Sequence, residues 1–187
     1  MSMKEVVQQT EVKMKRTLES VTREFIEVRT GRAHPGLIEG MHIDYYGTPT
    51  MIKQLASIAI PDAQTIMIQP WDVTAIVEIE KTILRSKLGV TPTHDGKIMR
   101  LSIPPLSKER RQELAKVVKD MAENGRVSLR TIRREANDKI KKMQTDNLIS
   151  EDDQFRGQEE IQKLTDRYIK EVDKILEAKN KELVEFG

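Results

Sequence analysis

The chain has 187 residues, of which 37% are hydrophobic, 33% are charged and only 4% are aromatic, and its net charge is +2. This length can bury a hydrophobic core in one or two domains, whereas the small net charge excludes a globally basic protein, so any contact with nucleic acid must come from a local arrangement. The absence of cysteine excludes disulfides, thiol catalysis and cysteine metal sites.

A capping box and a heptad pattern predict a first helix that ends near Thr30. Ser2 is followed three residues later by Glu5, the spacing at which the two side chains cap each other's backbone amides. Apolar residues then recur at the spacing of a helix that packs along one side: Val7, Met14, Leu18, Val21, Phe25 and Val28. Gly31 and Pro35 end the pattern and mark a domain boundary.

The next segment changes to short β-branched runs separated by glycine, proline and aspartate. The runs at 41–46, 57–60, 65–69 and 98–103 predict strands, and the apolar face of 73–88 predicts a helix with Gly89 as its stop. We expect a small mixed sheet that carries one helix. Pro104 and Pro105 end this segment and leave Ser107 as the N-cap of the next helix.

A long helix is predicted from Ser107 to about Asp146. Its apolar residues recur in steps of three and four: Leu114, Val118, Met121, Leu129, Ile132, Ala136, Ile140 and Met143. At 1.5 Å per residue this helix would reach roughly 60 Å, which is long for a compact domain of this size. The molecule should therefore be elongated.

A turn at 147–150, a Ser150 cap and an acidic first turn introduce the third heptad helix. Its apolar residues are Ile161, Leu164, Tyr168, Val172, Ile175, Leu183 and Phe186, with Lys179 interrupting the series. The fold class is therefore α+β, an elongated three-helix bundle packed by heptads with an inserted small mixed α/β domain. The second helix should run away from the inserted domain, and the first and third should run toward it.

The predicted domain bounds follow from these breaks. The bundle should comprise 1–30 and 106–187, and the inserted domain should comprise 31–105. Two connections bearing glycine and proline, near 30–35 and 103–106, make relative domain movement the default expectation. The predicted hinge residues are Thr30, Gly31, Arg32, Pro104 and Pro105.

The long helix carries a basic strip, which we define as Lys119, Arg126, Arg130, Arg133 and Asn137, with Arg134 and Lys141 on its edge. Residues 106–146 hold twelve Lys and Arg against seven Asp and Glu, a difference of +5, and Asp120, Glu135 and Asp138 fall mainly to the other side of the strip. A strip of this kind suggests an anion-facing surface. A charged helix face also serves simply to keep a helix in solution, and periodicity leaves both interpretations open.

Motifs for catalysis or metal binding are lacking. There is no phosphate loop, no nucleophile elbow and no zinc-protease signature, and His34, His42 and His94 show no ligand spacing. We therefore predict no enzymatic activity, no cofactor and no metal. Tyr45, Tyr46 and Trp71 could stack on bases, but packing in the small sheet is the favoured interpretation. No apolar run approaches the length of a membrane span and no signal-peptide core is present, so we expect a soluble cytoplasmic protein.

Ordered sequence blocks identify a resemblance to bacterial ribosome recycling factors. The blocks span nearly the whole chain and include 29–33 (RTGRA), 45–47 (YYG), 70–72 (PWD), 104–106 (PPL), 130–137 (RTIRREAN) and 161–166 (IQKLTD). Many blocks in one order are far more specific than any single motif.

The resemblance implies an L-shaped monomer, similar in outline to transfer RNA, whose bundle binds the large ribosomal subunit at the subunit interface. With elongation factor G and GTP hydrolysis, such a protein would split the post-termination ribosome and release messenger RNA and transfer RNA. The ribosomal-RNA-binding arginines that it implies are Arg130 and Arg133, with Arg29 and Arg134 as neighbours, and the strip adds Arg126. A coiled-coil scaffold or chaperone is the alternative from a different class.

Overall fold

The structure is a computed structural model that describes residues 2–185. The chain divides into two compact units. The first unit comprises Met1–Val28 and Glu113–Lys181, and the second comprises Arg29–Gln112 and Glu182–Gly187. The predicted heptad residue Phe186 lies outside the described residues.

Four α-helices and six strands make up the described fold. In chain order they are α1 (Met3–Glu27), β1 (His42–Tyr45), β2 (Thr48–Met51), β3 (Ala56–Asp62), β4 (Thr65–Pro70), α2 (Ala75–Arg85), β5 (Thr93–His94), β6 (Met99–Ser102), α3 (Lys108–Thr145) and α4 (Glu151–Glu185). The predicted α+β class, with long helices and a small sheet region, is confirmed.

The predicted helix caps are present. Ser2 accepts a hydrogen bond from the Glu5 amide at 3.3 Å, and the Glu5 carboxylate accepts one from the Ser2 amide at 2.7 Å, which completes the capping box of α1. The Ser107 hydroxyl accepts from the Arg110 amide at 3.2 Å, and the Ser150 hydroxyl accepts from the Asp153 amide at 3.1 Å. These bonds satisfy amides that the first turn of a helix would otherwise leave unpaired.

Cross-helix contacts establish the directions of the helices in the first unit. As the residue number rises on α1 it falls on α3, because Lys13 pairs with Glu135 and Val21 lies against Gly125. The number rises on α1 and α4 together: Met3 lies against Gly157, and Glu11 pairs with Arg167. Helix α3 is therefore antiparallel to α1 and α4, as the sequence predicted.

The buried face of α3 agrees with the predicted seam except at two places. Met121 and Ile132 are only half-buried, whereas the small residues Ala122 and Gly125 are fully buried. The small side chains are buried because α1 approaches α3 closely here. A Cβ atom on Gly125 would lie 2.7 Å from Cγ2 of Val21, a separation that Cβ atoms in proteins essentially never show.

We predict opposite effects for alanine at two helical glycines. Gly125→Ala should lower the free energy of unfolding by up to about 2 kcal/mol, because a strained contact with the stiff Val21 side chain outweighs the better helix propensity of alanine. Gly157→Ala should be neutral or stabilise by up to about 1 kcal/mol, since its Cβ would meet mainly Sδ and Cε of Met3, the far end of a flexible side chain that can move aside. Urea denaturation measures both.

A second substitution tests the cause of the Gly125 effect. Val21→Ala removes the methyl group that the new Cβ would meet, so Gly125→Ala should cost less in a Val21→Ala background than in the wild type. Equal costs in the two backgrounds would show that the Val21 contact is not responsible.

The second unit contains two sheets around an aliphatic core. β1 and β2 form an antiparallel hairpin, and the other strands pair antiparallel in the order β3-β4-β6-β5. The predicted mixed sheet is therefore wrong for the described strands, because each pairing is antiparallel. Short turns join β1 to β2, β3 to β4 and β5 to β6, whereas β4 pairs with β6 across a connection that contains α2 and β5. β2 was not predicted because it contains Pro49, and proline argues against a strand. Proline is tolerated here because β2 pairs only with β1 in the two-stranded sheet.

The prediction that the aromatic residues pack into this unit is wrong for two of the three. Tyr46 is 79% exposed and Trp71 is 70% exposed, whereas Tyr45 is half-buried. Tyr46 (φ 50°) and Gly47 (φ 80°) form the two-residue turn between β1 and β2, and this turn places the Tyr46 side chain at the tip of the hairpin. The core is filled instead by aliphatic side chains, including Ile38, Ile43, Ile52, Ile66, Ile68, Ile79 and Ile83.

Candidate nucleic-acid interface

The basic strip lies on one face of α3. At about 100° per residue, Lys119, Arg126, Arg130, Arg133 and Asn137 fall within an arc of roughly 60°. Two of these residues reach α4: Arg126 pairs with Asp173, and Arg133 donates a hydrogen bond to Gln162. The strip therefore borders α4, and its arginines differ in how much of their charge remains available.

Arg126 is the most enclosed arginine of the strip, with 19% of its side chain exposed. Its Nε and Nη2 atoms donate to Oδ1 of Asp173 at 2.9 and 2.7 Å, and Nη1 donates to Oε2 of Glu123 at 2.9 Å. Burial lowers the pKa of Arg126, but the hydrogen bonds to Asp173 and Glu123 outweigh this effect and raise it. The charge of Arg126 is thus neutralised inside the protein.

Arg130 is more exposed, and it shares a carboxylate with Arg126. Its Nη1 donates to Oε1 of Glu123 at 3.0 Å, and 44% of its side chain is exposed. The hydrogen bonds from Arg126 and then Arg130 lower the pKa of Glu123, so this carboxylate is ionised at neutral pH. Arg130 therefore contributes a partly compensated charge.

Arg133 and Arg134 keep their charge. Arg133 donates from Nη1 to the neutral Oε1 of Gln162 at 3.2 Å, and Nε2 of Gln162 in turn donates to Asp166 at 2.8 Å. Arg134 is exposed. Within residues 2–185, no carboxylate forms an ion pair with either arginine. These two side chains offer uncompensated guanidinium groups, which suit phosphate oxygens.

The remaining strip residues and Arg29 lie in different settings. Lys119 and Lys141 are exposed, whereas the Oδ1 atom of Asn137 is buried and has no hydrogen-bond partner among the described residues, so it faces the interior. Arg29 belongs to the second unit, where its Nη1 donates to the carbonyl oxygen of Lys87 just beyond α2.

We predict that Arg126 is a structural arginine. Arg126→Ala should lower the free energy of unfolding by about 1–2 kcal/mol, because it removes charge-assisted hydrogen bonds between α3 and α4. Arg130→Ala is the matched control, and its loss should stay below about 0.5 kcal/mol, since an exposed ion pair contributes little. Urea denaturation distinguishes the two, and equal losses would contradict the assignment.

Three residues that contact the arginines of the strip, Glu123, Asp173 and Gln162, were not predicted from the sequence. Glu123 lies three and seven residues before Arg126 and Arg130, so helix periodicity could have placed it on the strip. Asp173 and Gln162 could not have been found in this way, because they reach the strip from another helix.

The predicted hinge residues Thr30, Gly31 and Arg32 lie at the start of the second unit, and Pro104 and Pro105 lie within it, a few residues before its end at Gln112. The amide of Ala33 donates to the carbonyl of Ala63, and the amide of Ile103 donates to the carbonyl of Gln64, both at 2.7 Å. Both segments are thus bonded to the turn between β3 and β4.

The other predicted hinge residues differ in backbone conformation and in burial. Gly31 has φ 78°, a conformation that favours glycine, and Pro104 and Pro105 are exposed. Thr30 is buried, and its hydroxyl donates to Oε2 of Glu182 at 3.0 Å within the same unit.

The described residues contain neither a metal site nor a membrane-spanning helix. Across the described part of the chain, no group of three or more His, Cys, Asp or Glu side chains is arranged to hold a metal ion. None of the helices described between residues 2 and 185 is both long enough and apolar enough to span a membrane.

Comparison with known protein families gives a match over most of the chain. The sequence model of the family described as ribosome recycling factor matches residues 21–184. A ribosome-recycling factor of Oleidesulfovibrio alaskensis is 51% identical over 180 residues, which cover 96% of this chain and 98% of that protein. One from Solidesulfovibrio magneticus is 50% identical over 184 residues, covering 98% and 100%.

Solved structures give a matching result. A solution structure of the ribosome recycling factor has a TM-score of 0.81 and 40% identity, and the alignment covers 98% of each chain. A second similar structure, with a TM-score of 0.71, 40% identity and full coverage of both chains, comes from models of the T. thermophilus ribosome recycling factor and the E. coli elongation factor G bound to the E. coli post-termination complex.

Proposed function

Because this chain belongs to the ribosome recycling factor family, we propose that it binds the post-termination ribosome and splits it into subunits together with elongation factor G and GTP hydrolysis. Messenger RNA and transfer RNA are then released for a new round of translation. A relative of the same fold has been placed with elongation factor G on the post-termination complex, which supports this assignment.

The basic strip is the surface that we assign to ribosomal RNA of the large subunit, at the subunit interface. The observation that carries this assignment is the uncompensated charge of Arg133 and Arg134 beside the partly compensated Arg130. The planar guanidinium group of arginine can donate two parallel hydrogen bonds to phosphate oxygens. Neutralising backbone phosphates supplies affinity that does not depend on the base sequence of the RNA. Arg29, which is exposed and donates to the Lys87 carbonyl, adds an RNA contact from the second unit. Arg126 supports the strip from within.

The proposed mechanism is mechanical. The chain binds ribosomal RNA as a monomer in the cytoplasm, where bacterial ribosomes act, and it catalyses no reaction itself. The GTPase supplies the free energy, and the second unit is the part on which elongation factor G pushes. The bonds of Ala33 and Ile103 to one turn support a hinge confined to residues 29–32 and 104–106.

A scaffold function remains the second candidate, and one observation favours it. Arg126 and Arg130 both pair with Glu123, as expected for a charged face that only keeps a helix in solution. Under this interpretation the protein would not bind ribosomes through α3.

Two assays with purified components test the proposal. Co-sedimentation with large ribosomal subunits at low and high salt should show binding that weakens as salt rises, as phosphate contacts require. Light scattering should show that post-termination ribosomes dissociate only when the protein, elongation factor G and GTP are all present. Binding without dissociation would limit the protein to a scaffold, and the absence of binding would contradict the whole proposal.

A further inference from the structure

We propose that Glu123 acts as an internal competitor for RNA phosphate, because its carboxylate occupies donors of Arg126 and Arg130 that the basic strip would otherwise offer to RNA. Its effect is to hold the affinity of the strip below what its arginines could provide. This inference rests on the proposed function, since it assumes that the strip binds ribosomal RNA.

The geometry assigns one carboxylate oxygen to each arginine. Oε2 of Glu123 accepts from Arg126 at 2.9 Å, and Oε1 accepts from Arg130 at 3.0 Å. The Glu123 side chain is 49% exposed and that of Arg130 is 44% exposed. A phosphate that reaches Arg130 from solvent therefore meets a carboxylate that already occupies one of its donors.

The two arginines hold Glu123 unequally. Arg126 is enclosed and is also fixed by Asp173, so it keeps Glu123 beside the strip. The one ion pair of Arg130 among the described residues is with Glu123, and Arg130 lies nearer the solvent. The pair that can exchange is therefore Arg130 with Glu123. After Arg130 turns to a phosphate, Glu123 stays next to that phosphate, and the two negative charges repel each other.

The carboxylate remains charged where the protein works. The hydrogen bonds from Arg126 and then Arg130 hold the pKa of Glu123 below its usual value, so protonation does not relieve the repulsion at neutral pH.

Glu123 could instead help binding by orienting Arg130, but that contribution should be the smaller one. An exposed ion pair does little to immobilise a side chain. By contrast, a negative charge that remains beside a bound phosphate acts for the whole lifetime of the complex. Weakened binding has a use in a factor that must leave the ribosome after each round.

The test is Glu123→Gln, which keeps the shape of the side chain and removes its charge. Affinity for purified large ribosomal subunits at about 0.1 M salt should rise roughly threefold to fivefold. The log-log salt slope should steepen by about 0.7 to 0.9, the contribution of one more neutralised phosphate. In an Arg130→Ala background the gain should disappear, because Arg130 is the arginine that Glu123 releases.

Glu171→Gln is the matched control. Glu171 is also a half-exposed carboxylate in an i,i+3 ion pair, with Lys174 at 2.7 Å, but it lies on α4 about 160° around the helix from Asp173. Its affinity and salt slope should equal those of the wild type. Equal gains for Glu171→Gln and Glu123→Gln would reduce the effect to total charge and overturn the proposal.

An Arg133→Ala variant in the same series separates this inference from the proposed function. If Arg133→Ala weakens binding but Glu123→Gln leaves it unchanged or weaker, the strip binds RNA and Glu123 is not a competitor. If Arg133→Ala has no effect, the strip itself is not the binding surface and both proposals fail. A thermal melt of each variant confirms that it is folded.

Discussion

Arg133→Ala is expected to weaken binding to the large ribosomal subunit by roughly 5-fold to 150-fold, which corresponds to about 1–3 kcal/mol. The Arg133 guanidinium contacts the neutral Gln162, and within the described residues it pairs with no carboxylate. Its removal therefore takes a full charge from the strip and breaks no internal ion pair. The thermal midpoint should stay close to that of the wild type, since the residue lies outside the buried seam of α3.

Co-sedimentation over a range of salt concentrations measures this effect. The log-log slope should flatten by about 0.7 to 0.9 for Arg133→Ala, as expected for the loss of one phosphate contact. Arg156→Ala, on the exposed surface of α4, is the control and should retain the wild-type slope. Equal slopes for both variants would mean that the strip only keeps the helix in solution. A loss of binding that unfolding of the variant explains would likewise contradict the assignment.

Pro104→Gly combined with Pro105→Gly is expected to slow ribosome splitting several-fold while leaving ribosome binding within about twofold of the wild type. Each proline restricts φ to about −65°, so two consecutive prolines stiffen the connection, and two glycines make it flexible. A hinge that bends in any direction, and not only in the directions that proline allows, cannot transmit a push from the second unit. Binding should persist because the assigned phosphate contacts lie mainly on α3.

Pro49→Gly combined with Pro61→Gly is the matched control. Both prolines are exposed in strands of the second unit, so this variant has the same added flexibility in the unfolded chain without a change in either connection. It should split ribosomes at the wild-type rate. If the variant with glycine at 104 and 105 also splits ribosomes at the wild-type rate, the stiffness of this connection is not part of the mechanism. If that variant loses ribosome binding, the second unit also contributes to affinity.

The long helices could be predicted from the sequence because their signals are local. The Ser2 and Glu5 capping box, the Ser107 and Ser150 caps and the 3.6-residue apolar period each involve residues within one or two turns. Interactions over so few residues persist whatever the rest of the chain does. The extent of α3, the reverse direction of α1 and the location of the basic strip therefore followed from the chain alone.

The second unit was harder to predict because its strands are short and its pairing is not local. The proline in β2 obscured that strand, and the antiparallel order β3-β4-β6-β5 brings together residues more than thirty positions apart, such as Ile68 and Met99. The exposure of Trp71 depended on how much of the interior the isoleucines of this unit already filled. Such competition for volume is decided only when the elements pack.

The chain by itself thus determined that a face of α3 carries four basic residues and Asn137, with Arg134 and Lys141 on its edge, since a helix repeats at 3.6 residues whatever surrounds it. Only the tertiary structure decided which of these charges remain available. Asp173 on α4 reaches Arg126 and neutralises it, Gln162 leaves Arg133 charged, and the close approach of α1 requires a glycine at position 125. These outcomes depend on side chains from other helices, whose distance from α3 is set by packing and not by sequence spacing.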